Sequence, residues 1–343
     1  MTISFKPAPW LPGPHLQTLW PALTRRWSGT HYRRKRLILD DGDFLDLDWG
    51  PAHDGPLVVI LHGLEGSSRS GYVGGLMRVL AHRHWQGVVM HFRGCGGEPN
   101  RLARSYNAAD TGDLARVMDR LAGRWPHRAL YVVGFSLGGN VLLKWLGETP
   151  DDGLPPGLRA AVAVSVPFLL GVAARCLDRG FSRLYQAHLL RHLRASYRRK
   201  FSRLAGGPVD LTALTGLKNF FDFDDRVTAP LHGFDGAEHY YRVGSCRPWL
   251  RHISRPTLLI QARDDPFMDA SVIPDPATLS PAVILEVHER GGHVGFVEGL
   301  PWRPDYYLER RIPAFLAAHG SCLDHRLAPG DHRTPGGQGI QFQ

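Results

Sequence analysis

The sequence predicts an α/β protein with a mostly parallel central sheet. Three observations predict it. Short apolar runs recur along the 343-residue chain and alternate with helical patterns, as βαβ units require. Most of these runs are apolar without interruption, the mark of strands covered on both faces. One of them, residues 129–133, leads through Gly134-Phe135-Ser136-Leu137-Gly138-Gly139-Asn140 into an apolar helical stretch at 141–146. Strand, Gly-flanked serine and helix is the context in which a serine hydroxyl is held clear of a sheet, at a helix N-terminus whose dipole favours negative charge.

The other elements follow in order. Residues 1–30 carry Pro7, Pro9, Trp10, Pro12, Pro14, Trp20, Pro21 and Trp27, too aromatic for a disordered tail, and are expected to lie as an irregular arm packed on the core. Residues 35–40 and 44–49 flank Asp41-Gly42-Asp43. The second run alternates Leu45, Leu47 and Trp49 with Asp46 and Asp48, which predicts an antiparallel N-terminal hairpin with one face buried. A buried strand follows at 56–61, then a helix at 72–85 and a strand at 87–92. An amphipathic helix at 110–121 places Leu114, Val117, Met118 and Leu121 at helical spacing. After the serine turn comes a strand at 159–166. The alternation then stops. Residues 168–255 hold helical patterns, the longest at 182–204, and no clear buried strand, so a helical cap insertion is expected there. Strands resume at 256–261 and 282–287, and a last helix is expected at 305–319. The core is therefore expected to span 31–167 and 256–320. Residues 321–343 lack periodicity and read as a disordered tail.

Composition narrows the function. No apolar run approaches the length of a membrane span, and the N-terminus lacks the basic-then-apolar order of a signal peptide. Cys95, Cys176, Cys246 and Cys322 are scattered and form no CxxC pair, which points to reduced thiols and a cytoplasmic setting. The net charge of +9 is uneven: residues 179–203 hold seven arginines and one lysine with no Asp or Glu. That block is first a solvated helical face, and second a surface for peripheral contact with an anionic membrane. No nucleic-acid-binding pattern accompanies it. No metal-ligand spacing or phosphate loop is present, so neither metal nor cofactor is expected.

Activated serine chemistry needs a base, and the base needs a carboxylate to orient it. Both are expected after the serine, in loops beyond later strands. The strand at 256–261 ends in Ala262-Arg263-Asp264-Asp265-Pro266-Phe267, and the next ends near Gly291-Gly292-His293-Val294-Gly295-Phe296. His293 is the candidate base. Asp264 and Asp265 compete for the acid; Asp265, followed by a turn-fixing proline, is favoured, with Asp264 left to hydrogen-bond the loop backbone. Charge on a carbonyl oxygen in the transition state requires two N–H donors. The backbone amide of Leu137 is one candidate, and that of Leu64, after His62-Gly63, is the other.

These residues resemble the α/β-hydrolase superfamily, and more narrowly the bacterial YheT-like hydrolases, related to the ABHD1/2/3 group. The resemblance runs from Pro14-His15-Leu16-Gln17-Thr18-Leu19-Trp20 through His62-Gly63-Leu64-Glu65-Gly66, His91-Phe92-Arg93-Gly94-Cys95 and Gly134 to Asn140. It continues in Phe223-Asp224-Asp225-Arg226-Val227-Thr228-Ala229-Pro230-Leu231-His232-Gly233-Phe234 and the two loops just described. Ser105-Tyr106-Asn107-Ala108-Ala109-Asp110 departs from the family's usual Tyr-His-x-Gly run. The resemblance implies the α/β-hydrolase fold, a triad of Ser136, Asp265 and His293, and hydrolysis of acyl or lipid esters as small-molecule substrates. Acyl transfer to an alcohol, or membrane-surface docking on the same fold, are the alternatives. Apolar clusters in the expected cap, Phe168-Leu169-Leu170 and Phe220-Phe221, suggest a short- to medium-chain or lipid ester.

Overall fold

The computed structural model describes residues 3–25 and 31–320. The tail expected at 321–343, with Cys322, lies outside the described residues, as does Trp27 of the expected arm. The chain opens with α1 (Pro14–Thr24) and a hairpin, β1 (Arg33–Ile38) and β2 (Phe44–Trp49). Then β3 (Leu57–Leu61), α2 (Gly71–His82), β4 (Gln86–Met90), α3 (Gly112–Arg124), β5 (Leu130–Phe135), α4 (Leu137–Glu148) and β6 (Leu158–Val164) alternate. The helices α5 (Leu170–Leu177), α6 (Ser182–Phe201), α7 (Phe220–Phe223), α8 (Ala229–His232) and α9 (Ala237–Gly244) come next. β7 (Thr257–Ala262), β8 (Val283–His288), a small hairpin of β9 (Val297–Leu300) and β10 (Arg303–Tyr306), and α10 (Tyr307–Ala318) complete the order.

Eight strands form one sheet in the order β1-β2-β4-β3-β5-β6-β7-β8. From β4 to β8 every pairing is parallel, while β1, β2 and β4 pair antiparallel. The two-residue period of a strand sends alternate side chains to opposite faces. Thus Val59, Leu61 and Val132 pack against Leu114 and Val117 of α3 and Val141 and Leu142 of α4. Val58, Ile60 and Val133 pack on the other face against Leu76 and Leu80 of α2 and Ile312 and Leu316 of α10. A separate apolar cluster joins α5, α6 and α7 through Leu177, Tyr185, Leu190, Tyr197 and Phe220.

Three departures from the sequence reading have physical causes. The arm expected to be irregular is helical over Pro14–Thr24: Pro14 opens the helix, where its missing N–H costs nothing. The hairpin expected to bury one face buries every residue of β2, because β2 is an interior strand paired with β4. Its carboxylates are paired there. Arg34 donates to Asp48 at 2.7 Å, Arg36 to Asp46 at 2.8 Å, and His91 lies 2.8 Å from Asp48. Burial opposes ionisation of Asp48, but bonds from Arg34, His91 and Ser68 hold its carboxyl well below the usual range. The β9–β10 hairpin gave no recognised sequence signal.

Candidate active site

Parallel strands deliver their carboxyl ends to one edge of the sheet, and there the candidate residues meet. β5 runs directly into Ser136, whose backbone adopts φ 51° and ψ −118°, a strained conformation for a residue with a side chain. The tight turn needs its glycines. A Cβ on Gly134 would stand 2.7 Å from the Gly138 carbonyl carbon, and one on Gly138 would stand 2.6 Å from the His62 carbonyl oxygen. The turn is locked by the Ser136 N–H donating to Val164 at 2.8 Å and the Asn140 N–H donating to Ser136 at 3.1 Å. Asn140 is buried, donates to the carbonyls of Ala108 and Gly244, and accepts from the Cys246 N–H. It thereby ties α4 to the end of α9.

The loop after β8 brings His293 Nε2 to 3.0 Å from Ser136 Oγ. The loop after β7 brings Asp265 Oδ2 to 2.8 Å from His293 Nδ1. Asp265 is buried, and its Oδ1 also accepts the Phe267 N–H at 2.8 Å. Its neighbour Asp264 turns the other way and accepts the Gly292 N–H at 3.0 Å. The two aspartates are thus separated by direction: one addresses the imidazole, the other the backbone of the loop that carries it.

Several supports of His293 escaped the sequence reading. The Phe267 ring stacks on the imidazole with centroids 3.9 Å apart and planes 4° from parallel. The Thr18 hydroxyl accepts the His293 N–H at 2.9 Å, and the Ser165 hydroxyl accepts the Val294 N–H at 2.9 Å. Gln17 bridges Val297 with both ends of its amide. Thr18, Gln17 and Phe267 lie inside stretches that mark the family resemblance, but no local pattern announces their partners.

The loop after β3 passes beside Ser136: a Cβ on Gly63 would lie 3.3 Å from Ser136 Cβ. Its amides are allotted. The Gly63 N–H donates to Tyr72 and the Glu65 N–H to Tyr106, each at 2.9 Å. The Leu64 amide between them has no acceptor among the described residues. Neither has that of Leu137, the first residue of α4. Two free donors beside the serine suit a developing oxyanion. Beneath this loop His62 is buried, its Nδ1 donating to the Gly63 carbonyl and its Nε2 accepting the Phe92 N–H. Burial, helped by His91, pushes its imidazole down to about 3, so it stays neutral and acts as a structural strut.

All of this opens on a cavity of about 720 Å³, walled by the sheet edge and by α5–α9. The wall is mostly apolar, with residues such as Leu177, Leu189, Phe220 and Val227. One carboxyl stands out in it. Asp224, in a π-helical turn (Asp224–Thr228), accepts from Thr228 at 2.7 Å and from Tyr241 at 2.8 Å. Burial raises it from 3.8 to about 6 against those two hydrogen bonds. Between those values an unfolded chain releases a proton that the folded chain retains. The stability this carboxyl contributes therefore falls as pH rises from about 4 to about 6, and is lost above that. Asp224→Asn should match wild type near pH 3 and exceed its unfolding free energy at about pH 8 by up to about 3 kcal/mol. Urea titrations at both pH values test this; an equal difference at both would refute it.

Among the described residues, no group of three or more His, Cys, Asp or Glu is arranged to hold a metal ion. Cys95, Cys176 and Cys246 are unpaired.

A family model described as the alpha/beta hydrolase fold matches residues 56–300. Over 310 residues the chain is 44% identical to YheT of Escherichia coli K12, named as a candidate esterase, covering 89% of this chain and 90% of that protein. It is 28% identical over 338 residues to the phospholipase ABHD3 of Mus musculus, covering 95% and 82%. The solved esterase Pf2001 of Pyrococcus furiosus aligns with a TM-score of 0.54 at 17% identity, over 84% of this chain and 93% of that one, a likeness of fold. The strand order, the serine turn and these similarities agree: the chain belongs to the α/β-hydrolase family, alongside the YheT-like proteins it resembles.

Proposed function

We propose that the protein is a serine carboxylic ester hydrolase acting on acyl or lipid esters through an acyl-enzyme. The observation that carries this is the relay from Asp265 through His293 to Ser136, with contacts of 2.8 and 3.0 Å, at the floor of an apolar cavity. Ser136 Oγ attacks the ester carbonyl carbon as His293 Nε2 takes its proton. The oxyanion forms against the amides of Leu64 and Leu137. Collapse breaks the ester C–O bond, and His293 returns the proton to the leaving alcohol. Water, deprotonated by the same imidazole, then releases the acid and regenerates Ser136. Asp265 keeps the proton on Nδ1 and stabilises the imidazolium.

In this reading residues 168–255 serve as a cap over a core of 31–167 and 256–320, and the acyl chain lies along the cap's apolar wall. The names of the relatives, esterase and phospholipase, support the substrate class. The test is labelling with a fluorescent fluorophosphonate, followed by rates on a p-nitrophenyl ester series. The expected result is labelling of the folded protein and a rate that depends on acyl length. Failure of folded protein to label would overturn the proposal.

A further inference from the structure

The outer rim of the cavity carries large apolar side chains that face water. Leu23 of α1 and Leu184 of α6 both border the cavity, yet are 79% and 61% exposed. Phe181, just before α6, also borders it and is 47% exposed. Its ring centroid lies 4.3 Å from that of His15, so the start of α6 packs against α1, and the two helices together supply an apolar lip. Large apolar side chains grouped at a cavity mouth, open to water, mark a surface that meets something apolar.

Charge identifies what. Helical spacing puts Leu184, His188, Arg191 and Arg198 on one face of α6, with Arg183 beside them, and all five are exposed. Arg179 continues the set just before the helix and is exposed too. None of these arginines makes an ion pair among the described residues, whereas Arg34, Arg36, Arg93 and Arg310 each hold carboxylates. Not all of the basic block belongs to this face. Lys200 is turned inward to Asn100 and the Arg104 carbonyl, and Arg194 bonds the Leu217 carbonyl. What remains outside is a cationic stripe running into an apolar lip. The opposite face of α6, with Tyr185, Leu190 and Tyr197, is already packed inside.

We infer that the cavity mouth is a docking face for an anionic lipid surface, with Leu23, Phe181 and Leu184 entering the acyl boundary and Arg179, Arg183, Arg191 and Arg198 facing the headgroups. Apolar insertion and cationic attraction are the two terms that hold a protein at an interface without crossing it. Among the described residues no helix is long and apolar enough to cross a membrane, so this contact is peripheral. Such docking would open the cavity directly onto acyl chains. It rests on the proposed function only for that purpose, and not for binding itself.

The test is co-sedimentation with vesicles of phosphatidylglycerol mixed with phosphatidylcholine and with vesicles of phosphatidylcholine alone, at low and high salt. Using the Ser136→Ala protein keeps the result independent of the proposed reaction. The protein should bind the anionic vesicles preferentially and release as salt rises. Arg183→Gln with Arg191→Gln should lower partitioning roughly thirtyfold, and Leu23→Asp with Leu184→Asp should reduce it on both vesicles. Circular dichroism melts establish that each variant is folded. Equal binding to both vesicles, no binding at low salt, or an unaffected arginine variant would overturn the inference. So would a leucine variant that alters only self-association in sedimentation velocity, since that would assign the lip to a second copy of this chain.

Discussion

Ser136→Ala should lose ester turnover by on the order of a millionfold while remaining folded. In the proposed reaction Ser136 Oγ is the one atom that no neighbour can replace. Ser136 Oγ bonds His293 Nε2 across the cavity floor, so its removal leaves a ring nitrogen facing open space and not a buried, unpaired donor. Alanine also inherits the strained backbone of the turn, so the mutation neither relieves nor adds strain. His293→Ala should cost about as much, and the double variant no more, because members of a relay act as one unit. Initial rates on a p-nitrophenyl ester, beside thermal melts, decide the matter. Activity within tenfold of wild type would place the nucleophile elsewhere.

Asp265→Asn should lower kcat about ten-thousandfold, and Asp264→Asn less than tenfold. The asymmetry follows from direction. An amide at position 265 can still accept the Phe267 N–H, but it donates to His293 Nδ1 and drives the ring proton onto Nε2, where it faces Ser136. The base is then in the wrong tautomer. At position 264 an amide oxygen still accepts the Gly292 N–H, so the loop keeps its shape. Steady-state kinetics on both variants separate them. The reverse order of effects would move the acid to Asp264.

What the sequence makes legible is whatever is written locally. The apolar runs that became β3 to β7 and the Gly-flanked Ser136 each satisfy a rule that spans a few residues, and the fold follows from them. Most of the misses depend on tertiary pairing. Asp46 and Asp48 read as a solvated face until the pairing of β2 with β4 buries them against Arg34, Arg36 and His91. The Pro- and Trp-rich N-terminal arm reads as irregular, although Pro14 opens a helix. Thr18 and Ser165 look like any other hydroxyls; their value comes from the His293 and Val294 amides folded onto them. A residue whose partner lies hundreds of positions away carries no signature in its own neighbourhood.

That distance has a consequence in time. The loop bearing His293 is pinned by Thr18 and Gln17, contacts that close 275 and 280 residues of chain. Closing so long a span costs entropy that local contacts do not, so such contacts form late. On the ribosome, residues 17 and 18 emerge before the loop that holds their partners, and wait while the 275 to 280 residues that separate them are made. The sheet from β2 to β6 is able to assemble before the base is in place. Reactivity toward a fluorophosphonate should therefore lag behind the gain of secondary structure during refolding, making the assembled relay a clock for the last step of folding.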